Sequence, residues 1–140
     1  MSNERRQFKR YRPNFIMKAM MIPYLELPTG RHQLDPLEGL VLDYSDGGVK
    51  VHINNNTGRD LTKSIWLNQE LYVILQLSNE SYYTLKGKVM RFSGHPRDEQ
   101  FDFSIMFVEE KDATSLLPLQ DIDVIREQLR KVSVDAEEIV

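Results

Sequence analysis

The sequence predicts a mostly β protein, a six-stranded antiparallel barrel with a C-terminal amphipathic helix. Short segments through the middle of the chain alternate apolar and polar residues with the two-residue period of a half-buried strand. Clusters of Gly, Pro, Asn, Asp and Ser separate them, as hairpin turns require. Near the C-terminus the apolar spacing lengthens to three and four residues, which is helical. Short antiparallel strands close most economically as a small barrel, because closure removes unpaired edges.

Taken in order, residues 1–12 read as a flexible basic arm and residues 13–140 as the barrel plus helix. "NFIMKAMMIPYLEL" is extended and apolar on both faces, and Pro23 confines it to an edge, an end or a bulge because proline cannot donate to a ladder. In "LVLDYSDGGVKV" two alternating stretches flank a turn at which Gly47 and Gly48 are expected to supply positive φ. A parity that turns Leu40, Leu42 and Tyr44 inward sets Val41, Asp43 and Ser45 on the outer wall. "GVKVHI" aims Val49, Val51 and Ile53 inward against Lys50 and His52. "LYVILQL", "YYTLKGKVMRF" and "FDFSIMF" supply the remaining strands. The helix is expected from the stripe Leu119, Ile122, Ile125, Leu129 and Val132, with Asp112 capping the preceding turn and the Glu127/Lys131 pair adding weak support. Such a stripe is that of a lid packed on the barrel.

The chain of 140 residues, 41% hydrophobic, is the size of one domain with a real core. A net charge of −3 argues against binding a nucleic-acid polymer. The charge is unevenly spread: Arg5, Arg6, Lys9, Arg10, Arg12 and Lys18 crowd the start, and acidic residues crowd the end. With no cysteine, disulfides, thiolate metal sites and cysteine catalysis are excluded. The most apolar run, "FIMKAMMI", is far short of the roughly 20 residues of a membrane helix. The expectation is a cytoplasmic monomer without membrane contact. No enzyme motif is present: Ser45 lacks the G-x-S-x-G elbow, and His32, His52 and His95 are scattered.

Two stretches stand out, "RRQFKR" at Arg5–Arg10 and "DYSDGG" at Asp43–Gly48. Taken singly, the first is equally a solvated tail, a nucleic-acid patch or a built anion site, and the second is complete as a turn. Together, as R-x-x-x-R at Arg6 and Arg10 followed by D-x-S-x-x-G at Asp43, Ser45 and Gly48, they resemble the PilZ domain family of bacterial cyclic di-GMP receptors. The resemblance covers nearly the whole chain. "FDFSIMFVE" is similar to the family's last barrel strand, except that Ser104 stands where many members have glycine, a departure that reads as away from the site.

The resemblance implies cyclic di-GMP as ligand, no other cofactor, no catalysis, and Arg5, Arg6, Arg10, Asp43, Ser45 and Gly48 as the binding residues. The chemistry is consistent with this. Arginine grips phosphate with two parallel donors, reads the O6 and N7 edge of guanine, and stacks its planar face on a purine. Asp43 can accept from a guanine N–H edge, and Ser45 can donate or accept one hydrogen bond. In this family the residue before R-x-x-x-R influences how many ligands bind; here it is Arg5, so two stacked cyclic di-GMP molecules per chain are expected. The arm is expected to clamp onto the barrel with ligand and to signal to an unidentified downstream protein. The alternatives are a PilZ-like module that binds only protein and a small-barrel RNA-binding protein.

Overall fold

A computed structural model of the protein describes residues 9–54, 67–77, 81–94, 100–109 and 118–135. Among them the elements are β1 (Tyr11–Pro13), β2 (Lys18–Leu27), β3 (Gly30–Gln33), β4 (Leu37–Ser45), β5 (Gly48–Asn54), β6 (Glu70–Gln76), β7 (Tyr82–Ser93), β8 (Gln100–Val108), α1 (Ile122–Lys131) and β9 (Ser133–Asp135). Six strands close the barrel in the order β2, β6, β7, β8, β5, β4 and back to β2, every neighbour antiparallel. The predicted architecture is therefore the observed one. β3 forms a hairpin with the far half of β2, while β1 and β9 extend the sheet beyond β4. The sequence did not announce these three short strands.

Alternation sends Val51, Ile53, Leu71, Val73, Leu75, Leu85, Val89, Phe101, Phe103 and Ile105 into the barrel, all nearly inaccessible to solvent. Each such burial contributes about 1.5–3 kcal/mol. Phe92, Phe101 and Phe103 pack ring against ring with centroids 4.9–5.4 Å apart. α1 closes the barrel with Ile125 and Leu129, both buried in the same core. Asp121 caps the helix, accepting from the Asp123 N–H at 2.8 Å. Leu119 accordingly lies ahead of the helix rather than on it, and Asp112 is outside the described residues.

Pro23 sits inside a central barrel strand, and the topology shows why that is tolerated. β2 pairs with β4 from Lys18 to Met21 and with β3 from Tyr24 to Leu27. Pro23 falls between the two partners, its carbonyl accepting from the Leu34 N–H at 2.8 Å. Carbonyl and nitrogen of one strand residue point the same way, so the missing donor faces this gap and the ladder to β6 is intact.

The expected parity of β4 needs correction. Val41 is buried, whereas Leu40 and Leu42 are exposed, 41% and 39%. The register shifts between Val41 and Asp43, so Val41 faces Val51 while Asp43 faces Lys50 and Tyr44 faces Val49. Leu42 is the extra residue of a β-bulge, which reverses the alternation. Beyond it Tyr44 points in and Asp43 out, as expected, but for a different reason.

On the outside of β2 and β6 a second cluster joins Ile22, Tyr24 and Tyr72, with Leu119 packed against it. Tyr24 donates to Glu70 Oε2 at 3.0 Å, Lys86 Nζ lies 3.2 Å from the same oxygen, and the Arg31 guanidinium stands 4.9 Å over the Tyr24 ring. Burial pushes the Tyr24 hydroxyl from its ordinary 10.0 up to about 12, against the pull of Lys86. A raised folded-state value favours the native state below pH 10 and loses that contribution as pH rises toward 12. At 1.36 kcal/mol per pH unit the loss is roughly 2–3 kcal/mol. Urea unfolding at a series of pH values should show stability falling across this window in the parent protein and much less in Tyr24→Phe.

Candidate functional site

β4 delivers the candidate site at its turn end. Ser45 pairs with Gly48 across the two-residue connection Asp46–Gly47. The Ser45 side chain, 7% exposed, accepts from the Gly47 N–H at 3.2 Å, and the Gly47 carbonyl accepts from the Phe107 N–H at 2.9 Å. The turn is thus pinned to β8 from behind. Neither Gly47 nor Gly48 has positive φ, contrary to expectation; among the described residues that conformation occurs at Gly30, Gly94 and Asn68. Gly48 is required by space instead. A Cβ there would lie 2.3 Å from the Ile105 carbonyl oxygen, a backbone atom that cannot step aside.

β1 brings the arginine segment to this turn. Tyr11 pairs with Tyr44, their rings stacked with centroids 6.1 Å apart. Facing inward with Tyr44, Tyr11 leaves its neighbour Arg10 on the outer side. There Arg10 forms an ion pair with Asp43, both side chains partly exposed at 30% and 24%. The structure therefore joins Arg10 of the first stretch to Asp43 of the second, with Ser45 beside them and Gly48 behind. Arg5 and Arg6 lie outside the described residues. Tyr11 and Arg12, assigned to the arm by sequence, belong to a strand.

The residues between the motif positions turn out to hold the scaffold. Tyr44 donates through its hydroxyl to the Leu129 carbonyl at 2.5 Å, and burial raises its pKa. The Asp46 carboxylate accepts from Arg130 at 2.7 Å, and its backbone carbonyl accepts from Arg126 Nε at 2.8 Å. β9, which follows the helix, pairs with β1 through Tyr11↔Asp135, Arg12↔Val134 and Pro13↔Ser133. Helix α1 is consequently tied to both stretches at once. Sequence reasoning missed Tyr11, Asp46, Arg126 and Arg130; two arginines four residues apart on a polar helix face are too ordinary a pattern to mark a contact with a distant turn.

Further along the outer wall, Asp43 faces Lys50, Lys50 faces Ser104, and Ser104 faces Arg91. Ser104 therefore stands on the same wall as the candidate site. His52 contacts Asp102 at 2.7 Å, and Lys50 Nζ lies 4.0 Å from the same carboxylate. Among the described residues no group of three or more His, Asp or Glu could hold a metal ion, and no helix is long and apolar enough to cross a membrane.

A closed antiparallel barrel with a helix over one end and an arginine–carboxylate pair on its outer wall defines a small β-barrel domain. The PilZ domain family matches residues 4–121, most of the sequence, and the chain belongs to that family. Solved structures of similar fold include the PilZ domain with c-di-GMP of YcgR from Escherichia coli, with 12% identity, 91% of this chain and 88% of that chain covered, and a TM-score of 0.54. The Bacillus subtilis inhibitor of motility MotI/DgrA is similar at 15% identity, 91% and 50% coverage and a TM-score of 0.52. YcgR in complex with c-di-GMP from Escherichia coli is similar at 14% identity, 91% and 44% coverage and a TM-score of 0.52. The chain thus spans half or less of the last two proteins. No curated protein matches its sequence.

The crowding behind Gly48 generates a prediction. Alanine in a strand normally gains about 0.5–1 kcal/mol over glycine. Gly48→Ala should instead lose about 1–3 kcal/mol, the usual cost of overpacking. A urea midpoint at or above that of the parent would contradict it.

Proposed function

We propose that the protein is a cyclic di-GMP receptor that binds its ligand on the outer wall of the barrel and signals by a change of surface. The observation that carries this reading is the ion pair of Arg10 with Asp43, one residue from each motif, in a PilZ domain. Two structures of similar fold, the YcgR PilZ domain and YcgR itself, hold c-di-GMP. Arg6 and Arg10 take the phosphodiester and guanine contacts, Asp43 accepts from a guanine N–H, and Ser45, already accepting from Gly47, donates. Arg5 adds a third guanidinium, which offsets the charge of a second, stacked ligand and offers its face to a guanine. The stoichiometry is two ligands per chain.

Calorimetry with cyclic di-GMP, GTP and a short single-stranded RNA tests the reading. Heat with cyclic di-GMP alone supports it; salt-sensitive binding of RNA would favour the nucleic-acid alternative. Arg10→Ala removes charge-assisted hydrogen bonds of about 1.5–3 kcal/mol and should weaken cyclic di-GMP roughly ten- to hundred-fold. Arg5→Leu should lower the saturating ratio from two ligands per chain toward one, read by native mass spectrometry.

The output runs through α1. A ligand that takes Arg10 away from Asp43 acts on β1, which pairs with β9, and on β4, whose Tyr44 and Asp46 hold α1. A downstream protein would read the resulting position of the helix; motility is one such output, since MotI, of similar fold, is an inhibitor of motility. Amide hydrogen exchange in Ile122–Asp135 should therefore change when cyclic di-GMP saturates the protein, and unchanged exchange there would remove α1 as the reporter.

A further inference from the structure

The row that starts at Asp43 does not end at the motif. Four neighbouring strands present Asp43, Lys50, Ser104 and Arg91 side by side on the outer face. Antiparallel partners lie about 5 Å apart, so the row runs on the order of 15 Å from the carboxylate to the last guanidinium. Its direction is set by hydrogen-bonded register, and its positions by rigid barrel strands.

The chemistry along the row is that of an anion site. Lys50 stands between two carboxylates, Asp43 across the ladder and Asp102 at 4.0 Å, and Asp102 is also held by His52 at 2.7 Å. This keeps an ammonium over the wall without committing it to a close partner. Ser104 adds a hydroxyl with no bulk. Arg91 is exposed and makes no ion pair with any described residue. It follows a second bulge, between Val89 and Arg91, which brings it opposite Ser104. The opposite outer wall is arranged otherwise: there Lys86 is buried and paired with Glu70.

We propose that Lys50, Ser104 and Arg91 extend the ligand site proposed above, receiving the phosphodiester and guanine edge of cyclic di-GMP that lie farthest from Arg10. The inference rests on the receptor reading, and it makes Ser104 part of the site rather than a departure remote from it. Lys50 meets a phosphate as a point charge, Ser104 donates a hydrogen bond beside it, and Arg91 presents a two-donor fork to phosphate or to guanine O6 and N7. A cyclic dinucleotide has two such ends, and the row supplies the second set of donors.

Calorimetric titration with cyclic di-GMP of the parent, Lys50→Met, Arg91→Gln, Arg10→Ala and Lys131→Met decides it, each variant first shown to unfold at the parent's urea midpoint. Lys131, exposed on the helix, controls for loss of charge alone. Lys50→Met and Arg91→Gln should each weaken binding about ten-fold, the loss of one charge-assisted hydrogen bond. Lys50→Arg should keep most of the affinity and Lys131→Met all of it. Parent-like binding by both row variants, while Arg10→Ala fails, would end the site at Asp43 and leave the receptor reading standing. An equal loss in Lys131→Met would reduce the effect to general charge and overturn the extension. A parent protein that gives no heat would overturn both.

Discussion

One residue in β4 decides where the chemistry of this domain can be. Val41 and Asp43 are two residues apart, and in an unbroken strand they would share a face. Val41 faces Val51 in the core, so Asp43 would follow it there, and an unpaired buried carboxylate costs several kcal/mol. The bulge at Leu42 inserts one residue into the count. Asp43 then faces outward to meet Arg10, and Tyr44 takes the inward position that its size and ring suit. The cost is an exposed leucine, which is small beside a buried charge.

Tyr44 makes the bulge structural as well as permissive. Its ring holds β1 through Tyr11, and its hydroxyl reaches the Leu129 carbonyl in the last turn of α1, an oxygen that also accepts from the Val132 N–H at 3.1 Å. Asp46, two residues on, meets Arg126 and Arg130 from the same helix. The three contacts act differently: packing seats the tyrosine, a neutral hydrogen bond fixes its depth, and an exposed ion pair of low strength sets the helix's lateral position. An exposed pair is also the contact most easily exchanged, which suits the reporter role proposed for the helix.

The barrel was legible in the sequence because period-two alternation and turn residues act locally, and the helix because its stripe does too. Legibility ended where a residue's role depends on a distant partner. Leu40 and Leu42 look like core residues, and only the pairing of β4 with β5 shows the missed count. Gly48 looks like a turn glycine, yet what demands it is the Ile105 carbonyl, far along the chain on β8. β1 and β9 are too short to carry a pattern; they exist because these two distant segments of the chain meet. Of the candidate site, Arg10, Asp43 and Ser45 stood out through spacing, and all three lie within residues 4–121, which match the family. Arg126 and Arg130 did not, since arginines on a polar helix face are ordinary.

The two outer walls of the barrel hold their charges differently. On the β2 and β6 side, Tyr24 and Lys86 both meet the Glu70 carboxylate beside Leu119, Arg31 lies over the Tyr24 ring, and the Lys86 cation is buried while its partner Glu70 stays partly exposed. Such a network is fixed, because breaking one partner strands another. On the side of β4, β5 and β8 the cations are more open to solvent: Arg10 is partly exposed beside Asp43, Lys50 lies 4.0 Å from Asp102, and Arg91 is exposed with no described counter-charge. Water already solvates these groups, so a phosphate that replaces it meets little reorganisation and gains the shorter, charge-assisted contacts. The wall that contributes least to holding the fold together is therefore the one whose charges remain available to a ligand.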